Sequence, residues 1–198
     1  ARKYAADPIA DMAGYERSLE HARRYLKASD SVFEFGCGTL TTALSLAPSV
    51  ASYVATDLSS EMIAIAREKA AAAGGANITF EVATADSSAT PDASFDVALA
   101  FNVLHLIADR QAALGDVTRL LKPSGLFIAK TPCLKEMSFA IRLAVPLMRA
   151  IGRAPYVATF SAEELEQEIT ASGFDIVERA RHGTRGKDVR PFLVARKR

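Results

Sequence analysis

Short apolar runs alternate with longer amphipathic ones along most of the chain. SVFEF (31–35), SYVAT (52–56), ITFEV (78–82), FDVALAF (95–101) and GLFIAK (125–130) have the length and residue types of buried strands. Between and around them the spacing of apolar positions predicts helices at 15–28, 40–47, 60–73, 109–121 and 161–172. Strand and helix taking turns is the pattern of a doubly wound α/β sheet with helices on both faces. Two more strands are predicted at 174–181 and 189–196, and the short turn-rich HGTRGKD between them makes an antiparallel hairpin at one edge.

Several helix ends are legible. Ser161 followed by Glu164 is a capping box, Gly74-Gly75 and Gly173 stop the helices before them, and Pro123 follows the place where the helix over 109–121 must break. With 198 residues and no linker, repeat or low-complexity stretch, the chain is expected to form a single domain, 1–198. Its first 29 residues are expected to be a helical cap over the core. Segment 134–157 breaks the alternation where a doubly wound domain needs only a short connection, and is expected to be an insertion that covers a substrate.

Composition narrows the classes. The charges nearly cancel (24 Lys+Arg, 23 Asp+Glu, net +1), which argues against a surface built mainly to hold a nucleic-acid backbone. The apolar stretch near MSFAIRLAVPLMRAIG is interrupted by Arg142 and Arg149, so no transmembrane segment is expected. The chain start resembles no signal peptide, and two cysteines far apart, without metal-ligand spacing to the three histidines, suggest a reducing compartment; a cytoplasmic protein without a bound metal is the expectation.

The candidate chemistry begins at VFEFGCGTL. Glu34 lies inside the first strand, and Gly36 and Gly38 follow it one residue apart, where a chain can turn tightly and let its backbone approach a ligand. Asp57 ends the second strand about twenty residues past the turn, the separation a ribose-binding acid requires. Asp86 follows the third strand and is placed to accept from an adenine amino group. Each acid also has a plain reading: Asp57 as a helix cap, Asp86 as a solvated loop residue, Glu34 paired with a basic neighbour. The nicotinamide fingerprint G-x-G-x-x-G fails, because position 41 is Thr41.

These residues carry a resemblance. EFGCGT, ATDLSSEMIAIAREKA, the acid at Asp86, SFDVALAFNVLHLI and LLKPSGLFIAK together resemble the class I S-adenosylmethionine-dependent methyltransferases over nearly the whole chain. The resemblance implies one mostly parallel seven-stranded sheet of order 3-2-1-4-5-7-6 with strand 7 antiparallel. It implies S-adenosylmethionine as cofactor and S-adenosylhomocysteine as product, held by Glu34, Gly36, Cys37, Gly38, Thr39, Asp57, Leu58, Met62, Ala85, Asp86, Ser87, Asn102 and Tyr15. Two departures stand out: Ser124 replaces a glycine of the family's L-K-P-G-G phrase, and Leu40 takes the place of a third glycine. Leu40 either packs beneath the following helix or crowds the methionine end of the cofactor.

Methyl transfer from a sulfonium needs alignment more than covalent help, with a base where the acceptor must lose a proton. His105, just after the fourth strand, is the candidate base, against the plain reading of a packed or carbonyl-bonded histidine. His182 reads as solvated and His21 as a helix-surface residue. Cys133 invites comparison with the nucleophile of RNA cytosine carbon-5 methyltransferases, but that family's second P-C site is missing, and a small semi-buried thiol is the ordinary case. Lys130, Arg142 and Tyr156 are assigned to the acceptor, with Lys135, Arg142, Arg149 and Arg153 forming a basic stripe along the cover. The expectation is a methyltransferase acting on a small molecule with an apolar body; a non-catalytic cofactor-binding protein and an RNA-modifying enzyme are the alternatives.

Overall fold

The computed structural model describes residues 9–74, 77–84, 90–139, 141, 144, 156–184, 186 and 188–198. Seven strands form one sheet: β1 (Ser31–Phe35), β2 (Ser52–Asp57), β3 (Ile78–Val82), β4 (Phe95–Phe101), β5 (Leu121–Lys130), β6 (Phe174–Ala180) and β7 (Phe192–Lys197). Their order is β3-β2-β1-β4-β5-β7-β6, as the resemblance implies. The first five run parallel, and β7 lies antiparallel to both β5 and β6. Among the described residues five α-helices accompany them: α1 (Met12–Arg23), α2 (Thr41–Leu46), α3 (Ser60–Ala73), α4 (Arg110–Leu120) and α5 (Ala162–Ala171).

Alternation along the strands divides the core in two. Phe33 and Phe35 of β1 point with Phe127 of β5 to the face covered by α4 and α5, where Leu114, Val117, Leu165 and Ile169 meet them. Val32, Tyr53, Ala55 and Leu99 point to the other face, under α1, α2 and α3. Burial on both sides is the reason β1 and β4 read as nearly continuous apolar runs, whereas β3 at the sheet edge is only half-buried.

Helix ends follow the local chemistry. The Ser161–Glu164 capping box is present, Gly74 ends α3 at φ 73° and Gly173 follows α5 at φ 95°. Several boundaries differ from expectation: the first helix ends at Arg23 rather than 28, and the last strand starts at Phe192 rather than 189. The first helix starts at Met12 rather than 15, because the Asp11 side chain accepts from Gly14 N–H and caps it. No loop separates α4 from β5: Leu121 already pairs with Phe95, and the ladder shifts before Val97 meets Leu126. Pro123 therefore sits in a strand entrance, and Ser124 adopts φ 61° where the family phrase has glycine.

β1 lies between β2 and β4, so the chain winds outward in both directions from it. The crevice at the carboxyl ends of β1, β2 and β4 is the topological switch point, where open α/β sheets bind ligands.

Candidate cofactor and acceptor site

At the switch point β1 runs out into the glycine turn. Gly36 sits at φ 66° and Gly38 at φ 54°, both left-handed, yet they serve different purposes. A Cβ on Gly36 would come within 2.2 Å of Val103 Cγ2, so this glycine lets β1 and the β4 exit pack together. A Cβ on Gly38 would meet no protein atom within 4 Å, so this glycine bares backbone on the crevice side. Cys37 N–H donates to Thr56 O at 2.9 Å, stitching the turn to β2. The Cys37 thiol is buried, and burial, helped by Glu34 and Asp57, pushes it well above the usual thiol range. Thr39 is buried at the start of the run into α2.

Leu40 resolves its two readings. It is fully buried at φ 73°, immediately before α2, and packs with Leu46, Ala43 and Val32. It belongs under the helix.

Asp57 joins the turn to α3. One carboxylate oxygen accepts Gly38 N–H and the other Ser59 N–H, both at 2.9 Å, while the Ser59 hydroxyl accepts Met62 N–H and caps α3. The cap on α3 is thus Ser59, and Asp57 spans two elements. Leu58 beside it is 73% exposed and Met62 is half-buried. Glu34 is buried under this pair, accepting the Tyr53 hydroxyl at 2.8 Å. Burial raises its carboxyl to about 7, Asp57 adds to the rise, and the Tyr53 hydrogen bond opposes it. Its partner is therefore a phenol and not the basic group considered from sequence.

On the β4 side, Asn102 is exposed at φ 56°, its N–H donating to Lys130 O. His105 follows in a short 3-10 turn, Leu104–Leu106. Its Nδ1 lies 2.9 Å from Thr131 Oγ1, and its backbone N–H donates to the same oxygen at 3.3 Å. Its carbonyl accepts Ala158 N–H, which ties the 156–160 segment to the site and leaves Tyr156 exposed near it. Burial lowers the imidazole to about 4, so it is neutral at physiological pH. Tyr15 of α1 reaches across the other side, its hydroxyl 3.0 Å from Thr42 Oγ1.

Residues 32–125 match the family described as "Methyltransferase domain", a stretch that runs from β1 to the entry of β5 and contains the glycine turn, Asp57 and His105. Residues 32–125 are thus a methyltransferase domain, set in the class I sheet order. Among relatives of this methyltransferase, the uncharacterized methyltransferase YcgJ of Bacillus subtilis is 31% identical over 147 residues, 70% of this chain and 58% of that protein. The crystal structure of YcgJ superposes with TM-score 0.74 at 19% identity, covering 92% of this chain and 99% of that one. A ubiquinone biosynthesis O-methyltransferase of Sinorhizobium fredii is 28% identical over 180 residues, 89% of this chain and 71% of that protein. The structure of an S-adenosylmethionine-dependent methyltransferase from Methanosarcina mazei matches with TM-score 0.74 at 24% identity, covering 89% and 96% of the two chains. The chain thus spans 58 to 71% of the length of these two curated relatives.

The residues fit the family's cofactor. An ionised carboxylate has about four lone-pair positions, and the two backbone N–H groups on Asp57 use one on each oxygen, leaving one each for a vicinal diol. Gly38 offers backbone with no Cβ in the way, and exposed Leu58 provides an apolar surface beside the acid. Of the cofactor residues assigned from sequence, Ala85, Asp86 and Ser87 lie outside the described residues, as do Arg142, Arg149 and Arg153 of the cover.

Three assignments change, and the ordinary reading of Cys133 holds. Lys130 does not face the 156–160 segment: it shares the face of Ile128, beneath α1, where its ammonium donates to Ser18 Oγ at 2.6 Å. Burial lowers its pKa from the usual lysine value. His182 is not solvated and His21 is not a surface residue. Ser18 Oγ donates to Gly14 O and lies 3.0 Å from His182 Nδ1; His182 Nε2 lies 2.8 Å from His21 Nδ1; and His21 Nε2 lies 2.7 Å from Glu178 Oε1. The Tyr25 hydroxyl closes the chain by donating to the other Glu178 oxygen. Cys133, finally, is fully buried, its thiol pushed up to about 12 chiefly by burial, which makes it a packing residue.

Sequence reading missed Thr131, Tyr53 and Ser18. Tyr53 was reachable in principle, since pairing β1 with β2 in parallel brings its alternating face beside Glu34. Ser18 and Thr131 meet partners over 100 and 26 residues away, and no local pattern marks such contacts.

Proposed function

We propose that the chain transfers the methyl group of S-adenosylmethionine to an oxygen of a small molecule with an apolar body. The observation that carries the reading is the Asp57 carboxylate, fixed by Gly38 and Ser59 N–H groups beside a glycine with open backbone. The ubiquinone biosynthesis O-methyltransferase relative supports oxygen as the accepting atom, and exposed Leu106 and Tyr156 near His105 support an apolar acceptor. When bound, the cofactor supplies a methyl group on a positively charged sulfur. Asp57 and the turn hold its nucleoside, Tyr15 and Glu34 border its amino-acid end, and His105 stands on the acceptor side.

Calorimetric titration with S-adenosylmethionine, S-adenosylhomocysteine and NAD tests the cofactor. The first two should bind and NAD should not. Asp57→Ala should lose about 1–3 kcal/mol of affinity, the cost of leaving buried polar groups unpaired. Gly38→Val places its side chain in the crevice and should abolish binding with the fold retained, whereas Gly36→Val collides with Val103 and should also lower the melting temperature. Normal affinity in Gly38→Val removes the turn from the cofactor site. A metabolite screen with radiolabelled methyl donor then identifies the acceptor.

A further inference from the structure

The pairing of Thr131 with His105 decides what the histidine can offer. Thr131 Oγ1 is fully buried, and among the described residues both of its hydrogen-bonding contacts are with His105. The His105 backbone N–H is always a donor, so the threonine oxygen accepts it. The hydroxyl has one proton of its own, and the sole acceptor within reach among the described residues is Nδ1 of the same histidine, at 2.9 Å. Were Nδ1 protonated, it would be a second donor to Oγ1, and the hydroxyl proton would be buried without an acceptor. A buried unsatisfied hydroxyl disfavours that arrangement by roughly tenfold or more.

We infer that Thr131 locks His105 as the Nε2–H tautomer, so that the imidazole presents the acceptor with a hydrogen-bond donor instead of a base. Nε2 has no protein partner among the described residues and is not sealed from solvent. The neutral ring suits this role: a histidine held neutral by burial keeps a single N–H, and as a base it is weak. The acceptor class follows. An N–H donor stabilises an oxygen that carries negative charge, so the site favours a phenol or enol bound in its ionised form, its proton having passed to bulk water. Thr131 is a positioning residue, acting through His105. This inference rests on the proposed methyl transfer to oxygen only for the identity of the acceptor; the tautomer itself stands independently.

Long-range proton–nitrogen NMR spectra of the 15N-labelled chain saturated with S-adenosylhomocysteine test the lock, the three histidines being assigned with His105→Gln. Nε2 of His105 should carry the proton and Nδ1 should show the shift of a hydrogen-bonded acceptor. Thr131→Ser should keep that pattern, and Thr131→Val should replace it with a mixture of tautomers. A native His105 protonated on Nδ1, or a pattern unmoved in Thr131→Val, overturns the inference. The donor role is read with 4-nitrophenol as a coloured phenol. It should ionise at lower pH with the native chain and with His105→Gln, whose amide N–H replaces the imidazole donor, than with His105→Ala. Identical ionisation in the native chain and His105→Ala overturns that role. Neither result bears on cofactor binding, which calorimetry reads separately.

Discussion

At the scale of single residues, Leu40 shows how a departure from a family pattern is absorbed. A left-handed φ costs an L residue roughly 1–2 kcal/mol, and the family's glycine would avoid it. The leucine side chain is fully buried among Val32, Ala43 and Leu46, and truncating such a side chain costs about 2–5 kcal/mol. Burial therefore outweighs strain. Leu40→Gly should lower the unfolding free energy by about 1–3 kcal/mol in urea melts while leaving cofactor affinity nearly unchanged. A stabilised variant would mean that the backbone strain dominates. The same comparison separates the two turn glycines, since each sits at positive φ but only Gly36 is pressed against a side chain.

At the scale of elements, the strands and most helix ends were legible because their causes are local. Alternation marks the sheet faces, Ser161 and Glu164 cap α5 from positions three apart in sequence, and Gly74 and Gly173 turn the chain. The glycine turn and Asp57 were legible because the βαβ unit fixes their separation. The docking of α1 was not, because it depends on a chain of contacts between remote segments. It runs from Ser18 through His182 and His21 to Glu178, with His21 Nε2 donating to the carboxylate. His21 and Glu178 are the pair that ends it. The pair is partly shielded, at 17% and 32% side-chain exposure, so it should exceed the 0–1 kcal/mol usual at surfaces. A double-mutant cycle with His21→Ala and Glu178→Ala should give a coupling of about 1–3 kcal/mol. Additive losses would show that α1 is held by packing and the Asp11–Thr184 contacts alone.

At the scale of the whole molecule, three titratable groups shifted chiefly by burial, Glu34 fully buried and His105 and His182 half-buried, set opposing responses to pH. His105 and His182 are both lowered from 6.5 to about 4, His105 by burial and His182 by burial with Lys130 and His21 adding. Between those values the unfolded chain binds protons on both imidazoles that the folded chain does not, so stability falls as pH drops from 6.5 toward 4. Glu34 acts in the other direction. Its carboxyl is raised from 4.5 to about 7, so the folded chain holds a proton the unfolded one releases, and stability falls as pH rises from 4.5 toward 7. Where the windows overlap, two protons favour the unfolded state and one the folded, leaving a net difference of one (2 − 1). Stability should therefore rise with pH across 4.5–6.5, with a slope near that of a single proton, about 1.4 kcal/mol per pH unit. Glu34→Gln keeps an acceptor for the Tyr53 hydroxyl and removes the opposing titration. Chemical melts of this variant at several pH values should show roughly twice the native slope in the same window. An unchanged slope would place Glu34 among ordinary carboxylates, ionised in both states, despite its burial beneath Asp57.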